Sequence, residues 1–183
     1  MSPFFLSRLF PPLVLLLALM LTGPTAQAAD VEMVCFTPGD QCDQLLRQQI
    51  EAASQSILVQ AYGFTSDLLA QSLIAAAQRG VRVEVILDKS NCHGRHSQAI
   101  PLTEAGIPVR IDEIHGIAHN KVMVIDGELV VTGSYNFTSS AQVRNAENLI
   151  ILRDPDLAAH YSANWDNRED ASYPLDIACE IPP

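Results

Sequence analysis

The sequence predicts a layered α/β/α sandwich built on a central mixed β-sheet. Segments typical of strands alternate with segments typical of helices along most of the 183 residues, and this alternation is characteristic of sheets covered by helices. In the second half, Asp126-Gly127 separates two apolar segments and is a strong signal for a two-residue hairpin turn. Because a hairpin joins antiparallel strands, we expect the sheet to be mixed.

Residues 1–28 have the order of features found in a secretory signal peptide. Arg8 supplies a positive charge, residues 13–21 are almost continuously apolar, and Ala26-Gln27-Ala28 matches a small-x-small cleavage site. A retained membrane anchor is the alternative, but the apolar segment is short compared with the roughly 20 residues that span a bilayer. We therefore expect cleavage, a single domain over residues 29–183, and a periplasmic or secreted protein without stable membrane association.

Seven segments have the apolar content or the two-residue alternation that is typical of strands. In chain order they are residues 31–36, 56–61, 82–87, 109–112, 119–125, 129–132 and 148–152. The third segment is the clearest, because Val83, Val85 and Leu87 occupy every second position. The fifth and sixth segments flank the Asp126-Gly127 turn and form the predicted hairpin.

Four helices are predicted among these strands. They cover residues 43–54, 67–79, 98–105 and 155–167. Ser66 or Asp67 can cap the second helix, and Gly80 ends it. Asp154 can cap the fourth helix, which has Pro155 in its first turn.

All four cysteines lie in the predicted mature chain, at positions 35, 42, 92 and 179. An even number of cysteines in an exported protein favours disulfides over free thiols. Cys35 and Cys42 flank a turn-rich loop, which favours a bond between them and would leave Cys92 with Cys179. The sequence alone leaves the other two pairings open.

The chain is acidic, with a formal net charge of −10, and removal of residues 1–28 takes away Arg8 and leaves −11. This charge argues against a broad electrostatic contact with DNA or with an anionic membrane. A small local phosphate site remains compatible with it.

The segment after the third predicted strand is the one locally basic part of the chain. Lys89, His93 and Arg95 are candidate contacts for a polyanionic substrate at a strand end, where α/β proteins often bind ligands. A disulfide-anchored surface loop explains the same residues equally well. Cys92, His93 and His96 lack a fourth metal ligand, so we expect no metal and no cofactor.

The segment around the predicted hairpin contains the candidate catalytic residues. On a strand, His119 and Lys121 project to the same face. The ammonium attracts a phosphodiester and stabilises charge on its oxygens while the imidazole attacks. The hairpin returns Ser134 and Asn136 to the same region, where both can bind phosphate oxygens. Glu147 could accept a hydrogen bond from the second ring nitrogen of His119 and fix its tautomer.

Other residues in this region have ordinary structural explanations. Asp126 is accounted for by its turn, and Gly133 by the end of a strand. His115 could line the cleft, although a simple loop residue is the stronger interpretation. Residues 136–140 have the pattern of a helix start, whose free amides favour anions.

The joint spacing H-x-K-x4-D-x6-G-S-x-N, from His119 to Asn136, holds at every specified position. In this respect the sequence resembles the phospholipase D superfamily and its HKD motif. Residues 144–148 are similar to the acidic element that follows the motif in that family. Strand patterns at 59–62 and 83–88 resemble the small bacterial nuclease branch. The resemblance implies a phospholipase D/nuclease-like fold over nearly the whole mature chain.

The resemblance also implies a metal-independent phosphodiesterase. One histidine attacks phosphorus and forms a phosphohistidine, and a second histidine protonates the leaving oxygen. By that match His119 is the nucleophile or its acid–base partner, Glu147 orients it, and the phosphate is held by Lys121, Ser134 and Asn136. Asp126 and Gly133 support the structure.

The sequence contains a single H-x-K, so one chain does not supply both histidines. We therefore expect a homodimer in which His119 of each copy faces a shared phosphate. The expected substrate is nucleic acid, with DNA ahead of RNA. The alternatives are a phospholipase D acting on membrane phospholipids and a non-catalytic module that binds phosphate or nucleic acid.

Overall fold

The fold is described from a computed structural model that covers residues 28–180. The predicted signal peptide, apart from Ala28, lies outside the described residues. The strands are β1 (Asp30–Thr37), β2 (Ser56–Ala61), β3 (Arg82–Asp88), β4 (Val109–Asp112), β5 (Lys121–Ile125), β6 (Leu129–Gly133), β7 (Glu147–Arg153) and β8 (Tyr173–Pro174). The helices are α1 (Cys42–Ala52), α2 (Asp67–Gln78), α3 (Ala99–Glu104), α4 (Ser139–Val143), α5 (Pro155–Asp170) and α6 (Leu175–Ala178).

The strands form one sheet in the order β1-β7-β6-β5-β2-β3-β4-β8. Strands β2, β3 and β4 are parallel neighbours. The other neighbouring pairs are antiparallel. The predicted mixed sheet is therefore confirmed.

Helices cover both faces of this sheet. One face buries the larger core, to which α1, α2 and α3 contribute residues such as Leu46, Leu73 and Leu102. The opposite face packs against α5, mainly through Trp165, whose Nε1 donates a hydrogen bond to the Val59 carbonyl at 3.1 Å. This layering confirms the predicted α/β/α sandwich.

The Asp126-Gly127 turn has the backbone geometry that the hairpin requires. Both residues have positive φ angles, 54° and 66°, which is the requirement of the type I′ turns that suit two-residue hairpins. The Glu128 amide donates to the Ile125 carbonyl at 3.0 Å and closes this turn. Strands β5 and β6 pair on either side, with Ile125 opposite Leu129. Residues 126–128 therefore connect the paired positions, one residue more than the predicted two-residue hairpin, and Glu128 is the additional residue. The turn therefore sets the register of the two strands that carry the motif.

The structure differs from the predicted elements at two places that matter for the site. Strand β5 begins at Lys121, whereas the sequence predicted a strand from His119. The Tyr62 amide donates to the Asn120 carbonyl at 2.8 Å, so the chain stays close to the end of β2 while His119 lies outside the sheet. The short elements β8 and α6 were not predicted, because two- and four-residue elements carry too little periodicity.

Two disulfides link Cys35 to Cys42 and Cys92 to Cys179. The first joins β1 to the first residue of α1, and the second joins the loop after β3 to the end of α6. Both agree with the pairing that the sequence favoured. None of the helices in residues 28–180 combines the length and the apolar character that a membrane crossing needs.

We predict that Gly133→Ala destabilises the protein by about 2–4 kcal/mol. Gly133 has φ +145°, and a methyl group there would overlap with the Asn148 carbonyl oxygen and lie 3.0 Å from Leu149 Cα. The free energy of unfolding from urea titrations measures the loss.

Gly80→Ala is the matched control for this substitution. Gly80 also has a positive φ, +91°, but no atom lies within 4 Å of the position of an added Cβ. It should lose only about 1 kcal/mol, from backbone strain alone. An equal loss in the two variants would contradict the steric explanation.

Candidate functional site

Four strand ends meet at one end of the sheet and form the candidate site. Strand β2 ends at Ala61, which is paired with Lys121 at the start of β5. Strand β6 ends at Gly133, and its neighbour β7 begins at Glu147. The register therefore gathers the beginning and the end of the motif, which lie more than a dozen residues apart in sequence.

His119 and Lys121 meet around the ring of Tyr62. The His119 ring centroid lies 4.8 Å from that of Tyr62 at an interplanar angle of 58°. The Lys121 Nζ lies 5.1 Å from the Tyr62 centroid and donates a hydrogen bond to the His119 carbonyl at 2.8 Å. The two side chains are adjacent as predicted, but this contact and not strand alternation brings them together.

The Lys121 ammonium is held in a site that disfavours its charge. Lys121 is only 8 % exposed, and burial lowers the pKa of its ammonium below the ordinary value of 10.5. The charges of Glu147 and Asp88 act in the opposite direction and raise that pKa. A partly desolvated cation exerts a stronger field on a bound anion than a cation in water.

Glu147 is engaged by two side chains of its own chain. Ser134 Oγ donates to Glu147 Oε2 at 2.6 Å, and Asn145 Nδ2 donates to Glu147 Oε1 at 2.8 Å. Ser134 Oγ also accepts from the Asn148 amide at 3.0 Å. The predicted hydrogen bond from His119 to Glu147 is not among the contacts of this carboxylate in the described residues.

Asn136 lies in a loop that packs against the chain after β2. Its Oδ1 is buried and accepts no hydrogen bond from the described residues. A Cβ at Gly63 would lie 3.6 Å from that oxygen and 3.3 Å from Thr138 Cγ2. Gly63 therefore leaves room for the Asn136 side chain, and sequence reasoning did not single it out.

The helix start predicted at residues 136–140 is present but short. Helix α4 has five residues, and Thr138 Oγ1 already accepts from the Ala141 amide at 3.1 Å. One of its free amides is thus satisfied within the chain, and a helix of this length adds little dipole. The expected contribution of this helix start to anion binding is therefore small, and phosphate binding by Lys121, Ser134 and Asn136 stays a prediction.

Asp126 lies at the opposite end of β5 from Lys121. Its carboxylate accepts hydrogen bonds from the backbone amides of residues 54, 55 and 56 at 2.8–3.2 Å, and from Ser54 Oγ at 3.0 Å. Asp126 thus joins the hairpin to the loop between α1 and β2. This structural task agrees with its predicted role and extends it beyond the turn itself.

His115 is bound on both ring nitrogens. Its Nδ1 lies 2.7 Å and 2.8 Å from the two oxygens of Asp112, and its Nε2 contacts the Arg168 guanidinium. With Nδ1 protonated, His115 donates to Asp112 and accepts from Arg168. Both ring nitrogens are thus engaged within the chain, and a contact of His115 with a substrate stays a prediction.

The basic segment after β3 is exposed and anchored. Lys89, His93 and Arg95 are all exposed, and the Cys92–Cys179 disulfide fixes the segment to the C-terminal part of the chain. Within residues 28–180, no group of three or more His, Cys, Asp or Glu side chains is arranged to hold a metal ion.

An open groove of about 500 Å³ runs beside the basic segment. Its lining is polar and carries charges of both signs, with Arg95 and His96 beside Asp67, Thr65, Ser139 and Ser140. The Thr65 amide donates to the Phe137 carbonyl at 3.0 Å, so the groove adjoins the loop that carries Asn136. The groove extends the site toward Arg95 but does not include Lys89 or His93.

The family model described as "Cardiolipin synthase, PLD-like domain" matches residues 46–168. The chain is 49% identical over 138 residues to the protein named Phospholipase D from Rickettsia prowazekii, covering 75% of this chain and 67% of that protein. It is 36% identical over 129 residues to the Mitochondrial cardiolipin hydrolase of Xenopus laevis, covering 68% of this chain and 61% of that protein.

Two solved structures share the fold. Nuc from Salmonella typhimurium, described as a phospholipase D family member, superposes with a TM-score of 0.76 at 33% identity. The superposition covers 80% of this chain and 98% of Nuc. NucT from Helicobacter pylori gives a TM-score of 0.71 at 23% identity, over 78% of this chain and 97% of that chain.

We predict that Asp126→Asn lowers stability at neutral pH and that the loss disappears in acid. Burial opposes ionisation of Asp126, but hydrogen bonds from the amides of residues 54–56 outweigh it and lower the pKa of Asp126 below 3.8. The ionised Asp126 carboxylate therefore stabilises the folded state, and this stabilisation is complete above the pKa of aspartate in the unfolded chain. It is lost as pH falls through the lower pKa that Asp126 has in the folded protein.

Urea titrations of the wild type and of Asp126→Asn between pH 7 and about pH 2.5 measure the difference in their free energies of unfolding. The variant should be less stable by about 1–3 kcal/mol at pH 7, and the two curves should converge below the ordinary aspartate pKa. A difference that does not change with pH would show that the charge of Asp126 contributes nothing.

Proposed function

The chain belongs to the phospholipase D superfamily, and from this premise we propose that it hydrolyses nucleic acid. It is a phosphodiesterase of that superfamily. The proposed activity is metal-independent endonuclease cleavage of DNA, and of RNA in addition, through a phosphohistidine intermediate in a homodimer.

One observation carries the reaction class. An exposed imidazole, His119, stands next to a nearly buried ammonium, Lys121, whose Nζ is fixed by the His119 carbonyl at 2.8 Å. The exposed ring is accessible to a phosphorus atom. The ammonium is held beside this ring, where it can attract an oxygen of the same phosphate. Preorganised charge of this kind stabilises the negative charge that develops during phosphoryl transfer.

The reaction proceeds in two displacements. In the first, a ring nitrogen of His119 forms a bond to phosphorus, and the bond between phosphorus and the leaving oxygen breaks. A second, protonated imidazole gives its proton to that oxygen. In the next, the same imidazole accepts a proton from water, whose oxygen attacks phosphorus and releases His119.

The second imidazole comes from a second copy of the chain. His115 has both ring nitrogens engaged, and the remaining histidines, His93, His96 and His160, lack a lysine two residues later. A two-fold axis through the phosphate would supply His119 from each copy. The proposed enzyme is therefore a homodimer with one shared site.

Ser134 and Asn136 complete the phosphate site, and Glu147 orients an imidazole. Each oxygen of Glu147 holds one side-chain hydrogen bond in this chain. A carboxylate oxygen accepts two, so Glu147 retains the capacity to accept from a His119 ring. Ser134 Oγ links this carboxylate to the phosphate position.

The groove beside the basic segment favours nucleic acid as the substrate. Arg95, His96 and several hydroxyl groups line it together with Asp67, whose carboxylate accepts from Gln98 Nε2 at 2.6 Å. The groove adjoins the loop that carries Asn136, so a second phosphate of a polymer can bind at Arg95 while the first lies at His119. The small single-motif nucleases that the sequence resembles have the same compact size. We propose that Lys89 and His93 contribute only peripheral attraction.

Phospholipid hydrolysis is the second candidate. The relative that is 49% identical carries the name Phospholipase D, and the one that is 36% identical is named a cardiolipin hydrolase. The chemistry at His119 would be the same, and only the leaving group would differ. A binding module without activity is the third outcome of the experiment below.

We also propose that the protein works outside the cytoplasm. Disulfides persist in oxidising compartments, and the chain contains two of them. Periplasmic location or secretion, after cleavage near Ala28, fits this requirement and the leader-like sequence before it.

We predict that the purified protein nicks supercoiled plasmid in excess EDTA and that His119→Ala abolishes this activity. The variant removes the nucleophile, so the rate should fall by at least about 10⁴-fold. Phosphatidylcholine and cardiolipin vesicles are assayed in parallel under the same conditions.

Each result selects one function. Choline or glycerophospholipid release without nicking would establish the phospholipase, and binding without turnover would establish the module. Inhibition by EDTA would contradict the metal-independent mechanism. Activity that survives in His119→Ala would remove His119 from the reaction.

We predict that one inactive copy inactivates the whole dimer. Equal amounts of wild type and His119→Ala are mixed and allowed to exchange subunits. If both imidazoles are required, only the wild-type homodimers are active, and about one quarter of the dimers remain active. If the subunits acted independently, the mixture would retain about one half of the activity of the same amount of wild type. This outcome would exclude a shared site.

A further inference from the structure

We propose that Asp88 is a positioning residue for the site, holding the segment that delivers His119 and facing the Lys121 ammonium with its charge. This role rests on the proposed function. Asp88 is the last residue of β3 and is only 3 % exposed. It belongs to none of the specified positions of the motif.

The segment that leads into His119 crosses the ends of three strands. It leaves β4 at Asp112 and enters β5 at Lys121. Strands β3 and β2 lie between these two in the sheet. Residues 113–120 contain no regular element, so contacts with the strand ends must define their path.

Each strand end contributes one anchor to this segment. Asp112 of β4 binds the amide and the ring of His115 at 3.2 Å and 2.7 Å. Asp88 of β3 accepts from the Ala118 amide at 2.8 Å. The Tyr62 amide, directly after β2, donates to the Asn120 carbonyl at 2.8 Å. The Asp88 and Tyr62 anchors fall immediately before and after His119.

The two oxygens of Asp88 have separate tasks. Oδ1 accepts from the Ser90 amide at 2.9 Å and caps the short turn Lys89–Asn91. Oδ2 accepts from the Ala118 amide. Asn91, within that turn, donates to the carbonyls of Tyr62 at 2.7 Å and Asp88 at 2.9 Å. Asp88 thus couples the turn, the Tyr62 loop and the His119 segment.

A simple turn cap would need only one of these oxygens. Capping of Lys89–Asn91 uses Oδ1 alone, and an asparagine could replace it there. The positioning role additionally needs Oδ2, which accepts from the Ala118 amide, and the negative charge, which acts on Lys121. This difference allows the two roles to be separated by a substitution that preserves the size of the side chain.

The charge of Asp88 acts on Lys121 together with other groups. The Lys121 ammonium contacts the Tyr62 ring and the His119 carbonyl. Burial lowers its pKa, and the negative charges of Glu147 on β7 and Asp88 on β3 raise it. Glu147 is shared with Ser134 and Asn145. Removal of the Asp88 charge should therefore leave a buried ammonium with less support, and its pKa should fall further.

The test compares wild type with Asp88→Asn on the substrate that the proposed function identifies. The variant keeps one acceptor oxygen, so either Ser90 or Ala118 loses its partner. We expect kcat to fall about tenfold or more, with KM changed less than about threefold. We also expect the alkaline limb of the kcat profile to move to lower pH, because Lys121 loses its proton more easily.

Asp126→Asn is the matched control. It is the same substitution in another carboxylate that binds backbone amides, but it lies at the opposite end of β5. It should lower stability while leaving kcat and the alkaline limb unchanged at temperatures where the protein is folded. Both variants are compared by circular dichroism and thermal unfolding.

A folded Asp88→Asn with wild-type kcat and an unmoved alkaline limb would overturn the proposal. An unfolded Asp88→Asn would also overturn it, since it would assign Asp88 to folding alone.

The role of Asp88 can be measured independently of turnover. NMR titration of the Lys121 side chain reports its pKa in both proteins, and a lower pKa in Asp88→Asn supports the proposal even if the wild type hydrolyses no nucleic acid. An equal Lys121 pKa in the two proteins would contradict it. Absence of His119-dependent hydrolysis in the wild type would instead refute the proposed function.

Discussion

The register of β2, β5, β6 and β7 is the constraint on which the site depends. Successive side chains on a strand point to opposite faces, so a shift of one residue would turn every side chain of that strand to the other face. The Asp126-Gly127 turn fixes β5 against β6, and Gly133 lets β7 approach where a side chain would overlap with the Asn148 carbonyl. Asp126 and Gly133 thus help to place the motif residues that are proposed to hold phosphate.

Burial of the Lys121 ammonium gives this end of the sheet its electrostatic character. Desolvation raises the free energy of the cation, and the carboxylates of Glu147 and Asp88 offset part of that rise. A bound phosphate adds negative charge where the cation lacks water, and so it gains more than it would at an exposed lysine. The acidic chain can therefore bind a phosphate locally without a broad positive surface.

The sequence predicted the sandwich, the hairpin and the motif, because each depends on local periodicity or on spacing. It favoured the observed disulfide pairing but left the other two pairings open. It did not predict contacts between segments that meet only through the sheet. The Tyr62 ring contacts the His119 ring at a tilted angle, and Asp88 accepts from the Ala118 amide, across 57 and 30 positions. Ser134, at the end of β6, donates to Glu147 at the start of β7. Strand order decides such contacts, and a strand order is not encoded in the pattern of a single strand.

The proposed dimer raises a question of protonation. Attack requires a neutral imidazole, whereas protonation of the leaving oxygen requires a charged one, so one ring cannot perform both tasks in the same step. In the proposed symmetric dimer the two copies of His119 have identical surroundings, so the protein alone does not distinguish nucleophile from acid. A nucleic acid strand has direction and breaks this symmetry, because only one ring faces the leaving oxygen. In the proposed dimer, the direction of the bound strand would therefore decide which copy of His119 is the nucleophile and which is the acid.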